Sequence, residues 1–155
     1  MEKTPKYKMY SLVMYNLSGE QKGIQAYHAS MRYARENFND ADFQHWIHQD
    51  ETVVILSGGG SQDMILHCEE MKTLNIKFAK FHEPDLNFSM SGISFLLDER
   101  VWDKERYPDM RDWMKINHPT VMNRDFHNYE KAWVRMLGGE EIAAKRLFKD
   151  KFRRA

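Results

Sequence analysis

Lys22, Gln25 and His28 fall at intervals of three residues in the stretch "EQKGIQAYHAS". On a helix that spacing puts them in adjacent rows within the first turns. Lysine brings a mobile point charge suited to phosphate or to a developing negative charge. Gln25 and His28 can orient a carbonyl, a water or a ribose hydroxyl. A second group, Glu83, Asp85 and Asn87, lies in "FHEPDLNFSMSG". Pro84 restricts Glu83 to extended geometry, and carboxylates there can act as general bases or orient a basic partner. Each group also has an ordinary reading. The first is a solvated helix flank and the second a polar turn rich in Asp and Asn.

Both groups need elements to hold them. "KMYSLVMYNL", 8–17, is nearly continuous in apolarity and reads as a strand buried on both faces. Ser18 caps a helix running to Asn37, with Glu20 in its first turn. Ile24, Tyr27, His28, Met31 and Phe38 recur at helical spacing and give this helix an apolar row beside its polar one. A short helix follows over 39–49. "TVVILS", 52–57, is a clear strand, "SGGGS" a turn, and Ser61 caps a helix over 62–74. "IKFAKF", 76–81, alternates as a third strand, and "GISFLLDE", 92–99, is the fourth.

Helices at the first two links require crossovers. The link from Asp85 to Ser91 is too short for one, so the last two strands pair antiparallel. The expected architecture is a three-layer α/β fold: a mixed four-stranded sheet with helices on both faces. A helical C-terminal extension over 101–155 packs on the 1–100 domain as one globular unit. In such sheets sites gather at the carboxyl ends of strands where helices begin, which is where "NLSGEQKG" sits. Lys22 then stands at a helix N-terminus already favourable to an anion.

The chain has 155 residues, 42% hydrophobic and 13% aromatic, enough for one domain with a real core. It carries 23 basic and 23 acidic residues, so any nucleic-acid binding must use a local patch. A single cysteine, Cys68, excludes an internal disulfide and fits a reducing compartment. No apolar run is long enough to span a bilayer, and MEKTPKYK lacks a signal core. A cytoplasmic protein with no membrane partner is expected.

"KGIQAYHA" supplies Lys22, Gly23, Gln25, His28 and Ala29, and so resembles the helix of type 2 peptidyl-tRNA hydrolases, which reads roughly K-G-K-x-A-x-Q-x-x-H-A. "LNIKFAKFHEPDLN" has the layout of that family's later loop, with Glu83 near its aspartate and Asn87 near its threonine; the family's Gly-Arg-Thr-Gln is absent. The EPDLN wording is closer to the divergent peptidyl-tRNA-hydrolase-like proteins of bacteria and bacteriophages. The resemblance covers about residues 8–98. It implies a carboxylic ester hydrolase that cleaves the ester between a peptide and tRNA without cofactor or metal. Lys22 would hold phosphate or developing charge, Gln25 and His28 would place ribose or water, and Glu83 or Asp85 would orient Lys22 or the water. It further implies tRNA or another RNA as partner and, as the family tends to be dimeric, a homodimer. The missing loop residues leave a second function open: a catalytically degraded binding module of the same fold holding RNA, a nucleotide or a partner protein.

Other patterns carry less. The tail "AAKRLFKDKFRRA" concentrates basic residues, and Lys145, Lys149 and Arg153 share one helix face by their i, i+4, i+8 spacing. They are either a solvated helix end or a contact for an RNA backbone. The two H-x-[ST] pairs, His28–Ser30 and His118–Thr120, lack the paired strands a two-histidine phosphoesterase needs. His45, His48, His67 and Cys68 show no second ligand pair at zinc spacing. "SGGGS" lacks the lysine of a phosphate-binding loop.

Overall fold

The computed structural model describes residues 4–155. Strand β1 (Tyr7–Met14) leads into helix α1 (Gly19–Asn37), whose N-terminus is capped by the Ser18 hydroxyl accepting from the Gln21 N–H at 3.2 Å. A short helix α2 (Ala41–His45) continues into one π-helical turn and ends where Glu51 takes a left-handed conformation. Strand β2 (Val53–Gly59), helix α3 (Ser61–Thr73), strand β3 (Ala79–Glu83) and strand β4 (Ser89–Asp98) follow. The four strands form one sheet in the order β2-β1-β4-β3. β1 runs parallel to β2, and β4 is antiparallel to both β1 and β3, so the sheet is mixed, with helices on both faces.

The C-terminal third is helical: α4 (Glu99–Trp102), α5 (Met110–Asn117), α6 (Glu130–Leu137) and α7 (Glu140–Asp150). Gly138 and Gly139 have φ of 115° and 120°, which a side chain would resist, and they break α6 from α7. Val101, Leu137, Ile142 and Phe148 join Tyr10, Leu12, Leu56 and Phe95 of the sheet and Met64 and Met71 of α3 in one apolar cluster. Arg146, buried under α7, is satisfied by the Arg100 carbonyl at 2.9 Å and the Asp109 carboxylate at 2.7 Å. On the other face of the sheet, Met9 and Leu96 meet Tyr33, Phe43 and Trp46 from α1, α2 and the π turn. Among the described residues, no helix is long and apolar enough to cross a membrane.

Several local expectations need correction. Residues 76–78 are not strand: Asn75 is left-handed, and the Ile76 N–H returns to the Met71 carbonyl at 2.9 Å. This Schellman closure of α3 consumes the first residues of the alternating run and leaves β3 to start at Ala79. The "SGGGS" segment is largely β2, which reaches Gly59. The N-cap of α3 is Gly60 rather than Ser61, its N–H held by the Asp63 carboxylate at 2.9 Å. The apolar row of α1 is also turned around. Ile24, Tyr27, Met31 and Phe38 are 38%, 59%, 48% and 60% exposed, while Gln25, Ala26, Ala29 and Tyr33 are buried. The surface beneath α1 explains this. Ser11, Gly92 and Ser94 have so little side chain that the helix lies close there, with Ala29 and Ser30 against them, while Gln25 and Tyr33 are buried to either side. A Cβ at Gly92 would stand 2.6 Å from the Gln25 carbonyl oxygen.

The basic tail does not form one helical face. α7 stops at Asp150, and residues 153–155 run back along β2: the Ser57 N–H donates to the Arg153 carbonyl at 2.8 Å, and the Ala155 N–H to the Ile55 carbonyl at 3.2 Å. Lys145 pairs with Glu141 and Lys149 with Asp150, and Arg153 lies outside the helix, so the i, i+4, i+8 relation fails.

Candidate active-site cleft

Gln25, fully buried, is the hinge-pin of the candidate site. Its Nε2 donates to Glu83 Oε2 at 2.9 Å, and its Oε1 accepts from the Ser91 hydroxyl at 2.5 Å. Those two partners fix which end of the amide is which: an ionised carboxylate accepts only, and the Ser91 donor must meet oxygen. Ser91 reaches this position because β4 bulges there. Phe81 pairs with Gly92 and His82 with Met90, leaving Ser91 as the extra residue. Beyond the bulge the alternation changes phase, so Ser91 and Gly92 both face α1 while Met90 joins the opposite cluster.

Glu83 ends β3 in extended geometry, as Pro84 requires, and Pro84 opens a single 3₁₀ turn over Pro84–Leu86. The loop is tied at both ends. The Phe88 N–H donates to the Glu83 carbonyl at 2.9 Å, and His82 Nδ1–H donates to the Phe88 carbonyl at 2.9 Å. Asn87 and Phe88 are left-handed, with φ of 53° and 58°. The Glu83 carboxylate accepts from Gln25 and from the Asp85 N–H at 3.3 Å. The Gln25 bond first, then the Asp85 N–H and the neighbouring His28, hold its pKa below the usual carboxylate range. It is therefore an anion presented at a rim.

That rim borders a cleft of about 420 Å³ between α1 and the loop, lined by Leu17, Gln21, Ile24, His28, Glu83, Asp85 and Leu86. The His28 ring stacks on Phe81 with centroids 4.3 Å apart and planes 11° from parallel, so its edge, not its face, is available. Arg32, one turn on, lies 5.6 Å from the same Phe81 ring. Beneath the cleft, the hydroxyls of Ser11, Ser30 and Ser94 form a triangle with separations of 2.7, 3.1 and 3.3 Å, which satisfies each of them between strand and helix.

Gln25, His28, Glu83 and Asp85 thus converge from α1 and the β3–β4 loop. Lys22 is on the same helix, but it precedes Ala26, Ala29 and Tyr33 on the inward row. It forms no ion pair among the described residues and does not line the cleft. Asn87 serves the turn with its backbone. Lys145, Lys149 and Arg153 border other cavities. Ser91 and Phe81, which hold Gln25 and His28, escaped the sequence reading because a bulge leaves no periodic mark. The small residues of "SMSG" were the one hint of a close helix. Among the described residues, no three His, Cys, Asp or Glu side chains gather as a metal site. Compared with known proteins, the chain matches no protein-family model and no curated protein.

Proposed function

We propose that this cleft hydrolyses the ester between a peptide and tRNA in the cytoplasm, as the resemblance to type 2 peptidyl-tRNA hydrolases implies. The observation that carries the reading is the Gln25–Glu83 bond, in which a fully buried amide holds an ionised carboxylate beside His28 at an open cleft. Water seated between Glu83 and the edge of His28 attacks the ester carbonyl and passes its proton to the imidazole. The carboxylate stabilises the resulting imidazolium. The acyl–oxygen bond breaks, and the departing ribose oxygen takes that proton back. Gln25 has both polar atoms engaged within the protein, so it positions Glu83 and does not contact ribose. Lys22, unpaired in the first turn of α1, is left for a phosphate of the RNA.

The test is hydrolysis of purified peptidyl-tRNA by the full chain, read as released tRNA on an acidic gel. His28→Ala and Glu83→Gln should each lower turnover by about 10²-fold or more, and Arg124→Ala, in a separate 3₁₀ segment over Asn123–Tyr129, should change nothing. Absence of turnover in the wild type sinks the reading. One feature favours the second function, a binding module: Lys22, the cation the resemblance assigns to the developing charge, does not line the cleft. Retained tRNA binding without turnover, lost in Lys22→Ala, would select it.

A further inference from the structure

On the sheet face away from α1, a second cavity of about 260 Å³ opens over the edge formed by β1 and β2. Three cations border it: Lys8 from β1, Lys149 from α7 and Arg154 from the returning tail. No carboxylate lines it. Lys8 makes no ion pair among the described residues; its ammonium sits 3.9 Å from the centre of the Trp102 ring. Burial first, then Lys149 and Arg154, push its pKa down, against an opposing pull from Asp103. Arg154 likewise makes no ion pair among the described residues. The nearest acid on α7, Asp150, is shared with Lys104 at 3.1 Å and touches Lys149 only at 3.5 Å. Tyr10, 2% exposed, also lines the cavity, and its hydroxyl has no hydrogen-bond partner among the described residues. No buried side-chain oxygen or nitrogen among the described residues lacks a partner, so this hydroxyl opens into the cavity.

The space does not end there. Lys8 and Trp102 are shared with an adjoining cleft of about 480 Å³ whose walls carry Gln49, Thr52 and the Asp50 carboxylate, which already accepts from the Tyr7 N–H at 2.8 Å. Polar side chains and an indole beside a cationic pocket suit a sugar and a base beside a phosphate. We propose that this paired cavity binds a nucleoside monophosphate, with the phosphate held by Lys8, Lys149, Arg154 and the Tyr10 hydroxyl and the nucleoside lying past Trp102. The phosphate would replace mutual repulsion among three cations with charge-assisted hydrogen bonds.

Calorimetric titration of the full chain at low salt, with AMP, inorganic phosphate and adenosine as separate ligands, tests this. AMP should bind, with phosphate about tenfold weaker and adenosine weaker still. Lys8→Met, which keeps the stem over Trp102, and Arg154→Ala, which keeps the tail's backbone pairing, should each weaken AMP by about tenfold. Tyr10→Phe should weaken it less. Thermal unfolding of each variant separates lost binding from lost fold. If neither AMP nor phosphate binds, or if Lys8→Met and Arg154→Ala remain folded and bind AMP as the wild type does, the site is wrong. Equal affinity for phosphate and AMP removes the nucleoside from the assignment.

Discussion

The two faces of the sheet hold their helices by different means. Toward α3 and α7, wide side chains do the work: Tyr10, Leu12, Ile93 and Phe95 meet Met64, Met71, Leu137 and Phe148. Under the middle of α1, the contact is made by Ser11, Gly92 and Ser94 against Ala29 and Ser30, with one hydroxyl triangle and backbone approach in place of bulk. Thick packing tolerates adjustment because many dispersion contacts share any strain. Thin packing fixes distance, which is what a side chain such as Gln25 needs to hold partners from two strands within hydrogen-bond reach. The thin face carries the candidate active-site cleft.

Truncation on the thick face should therefore cost stability and leave the cleft alone. Phe148→Ala is expected to lower the unfolding free energy by about 3–5 kcal/mol in urea denaturation, while the Gln25–Glu83 pair persists. A change on the thin face should do the reverse in proportion. Gly92→Ala puts a Cβ 2.6 Å from the Gln25 carbonyl and 3.2 Å from the Ala29 Cβ. Backbone cannot swing aside as a side chain can, so α1 must lift. The expected cost is about 1–3 kcal/mol, with a larger fractional loss of any activity in the cleft than Phe148→Ala causes. Equal effects on the cleft would erase the distinction between the faces.

Smaller changes sharpen it. Ser11→Ala leaves Ser30 and Ser94 bonded to each other at 3.1 Å, so it should cost only about 0.5–1 kcal/mol, read from the same denaturation curves. On the thick face, His67 donates Nε2–H to the Gly58 carbonyl at 2.9 Å, and burial holds its pKa below the ordinary 6.5. The unfolded chain takes up that proton more readily, so the stability from His67 is complete above about pH 6.5. It is lost as pH falls through the folded value. His67→Gln should flatten that acid-side fall in stability, and an unchanged slope would mean His67 is solvated in the folded state.

Much of the frame was legible. Continuous apolarity marked β1, the Ser18 cap marked the start of α1, and the shortness of the β3–β4 link required the antiparallel pair. What stayed hidden depended on the partner surface. The row Ile24, Tyr27, Met31 and Phe38 has the period of a buried face, yet the row that meets the sheet is Gln25, Ala26, Ala29 and Tyr33, with Ala29 set where the surface is serine and glycine. Strand β3 began late because a left-handed Asn75 took its first residues into a helix cap. Two groups of residue types were readable, Lys22 with Gln25 and His28, and Glu83 with Asp85 and Asn87, of which Lys22 and Asn87 do not line the cleft. Its wiring was not, since the Ser91 contact exists only because one residue of β4 is extra. The basic tail was misread because charge spacing says nothing of where a helix stops.

The return of residues 153–155 along β2 bears on self-association. A sheet edge is a row of unpaired amides and carbonyls that another chain can join. Here Ile55 and Ser57 already have their backbone bonds taken by Ala155 and Arg153, and Leu56 bridges Arg154. Cutting the chain after Phe152 would strip that cover from an apolar strand, and the protein would trade a covered edge for strand-to-strand clumping, visible as concentration-dependent light scattering.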